Sequence, residues 1–234
     1  MIDQYDAYLF DLDGVLTPTV LLHRRAWQET FDELFASLGA PPYAEREYFD
    51  SLDGRPRFEG VAAVLAARGI ALPEGAEGEE GLGSVRGIGN LKNRAFGEVL
   101  ARDGIAAYPG SLRLLDHLRG LGRPLAVVSS SRNAGAVLRA AGLSERFVAV
   151  VDGEVAAREG LPGKPAPDTF VRAAELLGVP PGRAVVFEDA GSGVAAARDG
   201  GFGLVVGVDR GAGGEALTEA GAHLVVRDLE ELLP

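Results

Sequence analysis

The sequence predicts an α/β fold, a Rossmann-like parallel sheet core carrying an inserted helical cap. Short apolar, β-branched runs alternate with helical stretches, the pattern of a parallel sheet covered by helices. The runs are apolar throughout rather than at every second residue, as strands buried on both faces require. More than a hundred residues separate the first run from the second, far more than a strand–helix–strand crossover uses.

The expected strands are Ala7 to Phe10, Leu125 to Ser129, Phe147 to Val151, Ala184 to Phe187, Leu204 to Val208 and Leu224 to Val226. After the first strand, Leu21 to Leu38 reads as a helix, with Trp27, Phe31, Leu34, Phe35 and Leu38 at helical spacing. Val61 to Ala67 and Leu91 to Leu100 read as further helices, and the Gly- and Glu-rich stretch Pro73 to Gly89 as a loop. The core is therefore assigned to residues 1–17 and 107–234, and the cap to 18–106. Beyond the insertion, Ser111 is placed to cap a helix bearing Leu112, Leu115 and Leu118 and ending at Gly120. Asn133 is placed to cap the next, which stops near Gly142.

Composition narrows the function. With 47% apolar and 24% charged residues, a disordered chain is excluded. The 34 acids outnumber the 23 bases for a formal charge of −11, which argues against nucleic-acid binding because that affinity rests on basic surface. There is no Cys, so disulfides, thiolate metal sites and cysteine nucleophiles are excluded. No apolar run approaches the roughly 18 residues that span a bilayer, and the opening residues Met1 to Asp6 lack the basic stretch of a secretion signal. A cytoplasmic monomer acting on a small metabolite, with no membrane or nucleic-acid partner, is expected.

All but two of the 23 basic residues are Arg; the exceptions are Lys92 and Lys164. In a chain so biased toward Arg, a retained Lys points to a task suited to a compact ammonium, such as holding one phosphoryl oxygen in a tight site.

Ligands of parallel sheets bind beyond the carboxyl ends of the strands. There the sequence places Asp11-Leu12-Asp13-Gly14, Ser129-Ser130-Ser131-Arg132-Asn133 and Glu188-Asp189, with Gly163-Lys164-Pro165 just before the fourth strand. Crowded carboxylates repel one another unless a cation relieves them, and oxygen ligands select a hard ion such as Mg²⁺. A carboxylate beside such an ion can attack phosphorus, so Asp11 is read as nucleophile and Asp13, two residues on, as general acid and base. Lys164 and the hydroxyl and N–H groups around Ser129 and Ser130 complete a phosphoryl cradle.

These segments resemble the motifs of the haloacid dehalogenase superfamily, in the branch with a helical cap after the first strand. Asp11-Leu12-Asp13-Gly14-Val15-Leu16 resembles the first motif, Val127-Val128-Ser129-Ser130-Ser131 the second, Gly163-Lys164-Pro165 the third and Phe187-Glu188-Asp189 the fourth. The resemblance implies an aspartyl-phosphate on Asp11, Mg²⁺ held by Asp11, the Asp13 carbonyl, Glu188 and Asp189, and phosphate contacts from Ser129 and Lys164. Gly14, Ser130, Arg132 and Asn133 fall to substrate or phosphate binding.

Within the superfamily the chain is similar to β-phosphoglucomutases and related sugar-phosphate phosphatases. His23 stands at the distance of the mutases' hinge histidine, and Arg132-Asn133 matches their Lys/Arg-Asn pair. Asp53-Gly54-Arg55-Pro56-Arg57 and Leu91-Lys92-Asn93 are similar to cap segments that grip the distal part of the substrate, with Arg55 or Arg57 in the phosphate-binding role. Pro18 stands where the mutases commonly have an acid. The expected function is Mg²⁺-dependent hydrolysis of small sugar phosphates, the alternative a β-phosphoglucomutase. A dehalogenase has no use for Asp13 or the Glu188/Asp189 pair. A phosphorylated receiver built around Asp152 fits poorly with the insertion.

Overall fold

The computed structural model describes every residue except Met1, Asp53, Gly54, Pro56 and Ala212, and the side chain of Phe49. Two compact units emerge, one of residues 1–19 and 105–234, the other of Val20–Gly104.

The first unit is built on six parallel strands, β1 (Ala7–Phe10), β2 (Leu125–Val128), β3 (Ala149–Val151), β4 (Ala184–Glu188), β5 (Leu204–Val208) and β6 (Leu224–Val226), in the order β3-β2-β1-β4-β5-β6. The fold class expected from the sequence is thus the one observed. Strands β1, β2 and β4 are buried along their whole length. On one face Ala7, Leu9, Ala126, Val128 and Val186 join Phe170, Ala173 and Ala174 of α7 (Asp168–Leu177) and Val194, Ala196 and Ala197 of α8 (Gly191–Asp199) in one core. In β1 and β4 the paired residues Phe10 and Phe187 stack with ring centres 4.5 Å apart. The strand order reverses between β1 and β4, which makes the gap beyond their carboxyl ends the place for a ligand.

Several boundaries differ from expectation. Strand β2 ends at Val128, and β3 begins only at Ala149, since Phe147 and Val148 lie before it and Val148 is 69% exposed at the sheet edge. Helix α4 spans Pro109–Gly120, starting with a proline at its first turn, where the missing N–H is harmless. Ser111 therefore lies inside the helix rather than capping it, and its hydroxyl donates to the Val15 carbonyl at 2.7 Å. Asn133 precedes α5 (Ala134–Ala140) without a side-chain cap bond. Asp152, the residue a receiver would need, caps α6 (Gly153–Glu159), accepting from the N–H groups of Glu154 at 3.0 Å and Val155 at 2.9 Å, a local structural task.

The second unit contains most of α1 (Thr19–Ser37), a π-helical turn at Tyr48–Leu52, α2 (Arg57–Ala67) and α3 (Val85–Asp103). Its core follows the helical spacing read from the sequence: Trp27 stacks on Phe31, and Phe31 on Phe35, each pair 5.5 Å apart between ring centres. Leu38, counted with them, is 51% exposed because α1 has ended. The stretch 73–89, expected as a loop throughout, gives way to α3 at Val85, capped by Ser84, whose Oγ accepts from the Gly87 N–H at 3.0 Å. Gly89 serves close packing: a Cβ there would lie 2.7 Å from the Phe58 ring.

Candidate active site

Strand β1 delivers Asp11, and β4 delivers Glu188 and Asp189, to neighbouring positions because the two strands pair directly, Phe10 opposite Phe187. The Asp11 N–H continues that ladder to the Phe187 carbonyl at 2.9 Å. Beside them, on the far side of β1, Ser129 follows β2 and is 2% exposed.

Lys164 enters this row of acids from the segment before α7. Its ammonium bonds Asp11 Oδ1, Glu188 Oε2 at 2.7 Å and the Val128 carbonyl at 3.2 Å, and lies 4.8 Å from the centre of the Phe170 ring. The three side chains are 7%, 9% and 2% exposed for Lys164, Asp11 and Glu188, so each charge depends on the others rather than on water.

The electrostatics follow. Burial raises the Asp11 carboxyl above its ordinary range, against the Lys164 ammonium and backbone N–H bonds from Asp13 and Leu12. Burial, and then repulsion from Asp11, lift Glu188 to about 7. Asp189, with burial foremost and Asp11, Glu188 and Asp13 adding to it, rises to about 8. Burial works against the Lys164 charge too, but the Asp11 and Glu188 carboxylates more than offset it and hold the ammonium protonated.

Carboxylate oxygens of Asp11, Glu188 and Asp189 lie within 4.8 Å of one another. All-oxygen donors whose carboxyls are pushed up by burial first and, at Glu188 and Asp189, by mutual repulsion second suit a hard divalent cation. The backbone is shaped around them. Gly14 has φ +79°, and a Cβ there would overlap the Asp189 carboxylate; a Cβ on Gly193 would overlap that of Glu188.

Asp13 is held separately. Its Oδ1 accepts from the hydroxyl of Thr19, and the Gly14 N–H donates to the Thr17 carbonyl at 2.8 Å, folding residues 13–17 into a tight turn. Thr19 bears directly on a candidate acid and was not singled out in the sequence, where a lone threonine at a helix start carries no distinguishing signal.

Around Ser129 the chain makes successive turns: its Oγ accepts from the Ser131 N–H and the Ser131 Oγ from the Asn133 N–H, each at 3.1 Å. Ser130 and Arg132 are exposed, and Asn133 is half-buried. The remaining candidates lie in the second unit. Lys92, 5% exposed, donates to His23 Nδ1 at 2.7 Å, and the His23 ring stacks on Phe96 with centres 4.3 Å apart. Burial and the Lys92 and Arg57 charges hold His23 well below its ordinary range, so it is neutral with the proton on Nε2. Arg57 donates to Asn93 Oδ1 at 3.2 Å, whereas Arg55 is exposed. Asp53, Gly54 and Pro56 of the same segment lie outside the described residues.

Among the described residues no helix is long and apolar enough to cross a membrane. His117 sits 3.0 Å from Asp3, and His223 accepts the Val205 N–H at 3.0 Å, so both have structural partners.

The chain is 46% identical over 239 residues to a β-phosphoglucomutase of Mycobacterium tuberculosis, covering 97% of this chain and 91% of that one. A phosphorylated carbohydrates phosphatase of Thermotoga maritima is 30% identical, with 97% and 96% covered. The crystal structure of CbbY from Rhodobacter sphaeroides in complex with phosphate superposes with a TM-score of 0.73 at 30% identity over 97% of this chain and 96% of that chain. The model of the haloacid dehalogenase-like hydrolases matches residues 5–201, a span that takes in Asp11, Ser129, Lys164 and the Glu188–Asp189 pair; the chain belongs to that family.

Proposed function

We propose that the chain transfers the phosphoryl group of a small sugar phosphate first to Asp11 and then to water. The observation that carries this reading is the set of buried Asp11, Lys164 and Glu188 side chains with half-buried Asp189 at the point where the strand order reverses. An Asp11 oxygen attacks phosphorus as the bond from phosphorus to the sugar oxygen breaks, and Asp13 gives that oxygen its proton. Asp13 then takes a proton from water, whose oxygen attacks phosphorus and releases Asp11. Lys164 fixes the orientation of the Asp11 carboxylate, and Ser129, with the N–H groups of the turn that follows, receives the phosphoryl oxygens. Asp11, the Asp13 carbonyl, Glu188 and Asp189 would hold Mg²⁺, whose charge offsets the repulsion between the phosphate and these carboxylates.

A second reading has support of its own. The charges of Lys92 and Arg57, both acting on neutral His23, give Val20–Gly104 a basic cluster suited to the non-reacting end of a bisphosphate, and a mutase needs such a hold while the phosphoryl group returns to a different oxygen. The experiment supplies Mg²⁺, β-glucose 1-phosphate and a trace of the 1,6-bisphosphate, and follows glucose 6-phosphate and free phosphate together. Phosphate release without isomerisation is the expected result. Rapid glucose 6-phosphate with little free phosphate selects the mutase, and silence in both channels and on other sugar phosphates sinks both.

Under either reading, Lys92→Met and Arg57→Met should raise KM for the sugar phosphate about tenfold while changing KM for an aryl phosphate less than about threefold, since binding away from the reacting centre is lost. Equal changes on the two substrates would remove these side chains from substrate binding.

A further inference from the structure

Arg210, just past the carboxyl end of β5, has no part in the chemistry described so far. Its Nε donates to the Gly14 carbonyl at 2.9 Å and its Nη1 to the Arg227 carbonyl at 2.9 Å, with the Asp228 carboxylate 3.7 Å away. The guanidinium carbon lies 3.8 Å from the centre of the Tyr108 ring, while Nη2 is buried without a hydrogen-bond partner. Leaving a guanidinium donor buried and unpaired is unfavourable. The side chain is kept in this position by what its other atoms hold.

Those atoms join three segments far apart in sequence. Gly14 is the residue after Asp13, and its backbone packs so closely on Asp189 that no Cβ fits. Tyr108 ends the segment that returns from the second unit, and its N–H donates to the Leu16 carbonyl at 2.9 Å. Arg227 and Asp228 follow β6. Arg210 therefore ties the peptide between Asp13 and the Val15–Leu16 turn to a stacked ring and to the end of a neighbouring strand.

We propose that Arg210 is a positioning residue for Asp13: by fixing the Gly14 carbonyl it sets where the acid/base carboxyl stands relative to Asp11. The inference rests on the phosphoryl-transfer reading above. It predicts a dependence on the leaving group. An aryl phosphate leaves as a stabilised phenolate and needs little help from an acid, whereas a sugar oxygen needs its proton. Hydrolysis of the phosphoenzyme needs Asp13 as base whichever ester supplied the phosphate.

The test compares wild type, Arg210→Met and Arg210→Lys, with folding checked by circular dichroism and melting temperature. For Arg210→Met, turnover of a sugar phosphate should fall about thirtyfold at saturation with KM nearly unchanged, as a displaced proton-transfer group predicts. With p-nitrophenyl phosphate, the variant should release one equivalent of nitrophenolate in a rapid burst at close to the wild-type rate, then turn over slowly. Arg210→Lys, which restores a donor to Gly14, should recover part of the loss. A merely structural role would instead slow the first transfer from both esters equally, with a slowed nitrophenolate burst below one equivalent, and that result overturns the proposal, as do wild-type rates in both variants. If Arg210→Met fails to fold, Tyr108→Leu, which removes the ring beneath the guanidinium, should show the same pattern in weaker form or refute it. Silence of the wild type on both esters would overturn the phosphoryl-transfer reading itself and take the inference with it.

Discussion

Replacing Asp11 by Asn is expected to reduce phosphate release by at least about 10⁴-fold while the protein stays folded. The substitution is close to isosteric, but it removes the only carboxylate of the cluster at the end of β1 and leaves a neutral amide beside Lys164. Losing a nucleophile that acts as a unit with its neighbours typically leaves only the residual effect of binding and of the remaining dipoles. A 10⁴-fold loss is roughly 5.5 kcal/mol of transition-state stabilisation. Stability should move little, for two reasons of opposite sign. Lys164 loses one of its two carboxylate partners, which is unfavourable, but Glu188 and Asp189 lose the anion that pushes both of them up. The check is free phosphate at saturating substrate together with the melting temperature. A variant that keeps a tenth of the activity would place the nucleophile elsewhere.

Much of the candidate site was legible in sequence because the sheet is parallel. Such a sheet sends every strand's carboxyl end to one edge, so reading the residue after each apolar run brings Asp11, Ser129, Glu188 and Asp189 together without knowing the strand order. Lys164 stood out by its rarity among arginines and was placed with these acids, but its direct bonds to Asp11 and Glu188, 153 and 24 residues away, are made only by the fold. Thr19 and Arg210 were illegible for the same reason. Each is a single polar residue of a common type, and the Arg210 contact with Gly14 spans 196 positions.

The misread boundaries have local causes. Pro109 begins α4 two residues ahead of Ser111, so a residue well suited to capping was mistaken for the cap. Gly87 and Gly89 counted as loop residues, yet they lie in α3, where Gly81 and the Phe58 ring approach too closely to admit a side chain. Glycine marks both turns and close approaches, and its neighbours in space decide which.

Lys164→Met should lower the melting temperature by about 10 °C in metal-free buffer at pH 8. The methionine keeps the length of the stem and its packing near Phe170 but leaves Asp11 and Glu188 buried, close and unpaired. Removing one member of a buried charge set usually destabilises by about 3–5 kcal/mol, and in a chain of this size each kcal/mol moves the midpoint by roughly 2–4 °C. The direction of the pH dependence distinguishes this cause from lost packing. Without the ammonium, both carboxyls rise further above their unfolded values. A carboxyl raised in the folded state lowers stability as pH climbs from its unfolded pKa, near 4, through its folded one, which for Glu188 is already about 7 with Lys164 present. The deficit should therefore be largest at pH 8 and shrink toward pH 4, where the folded-state carboxyls are protonated and the unfolded ones are about half so. The Lys164 ammonium itself stays charged over that whole window, so it contributes no slope of its own. Adding Asp11→Asn to Lys164→Met removes one of the two stranded anions and should recover part of the loss. Millimolar Mg²⁺ should do the same at pH 8, since a ligand bound only by the folded state raises its stability. A deficit that is constant from pH 4 to pH 8, and unmoved by the second substitution or by Mg²⁺, would mean that Lys164 serves packing rather than the charge balance of the site.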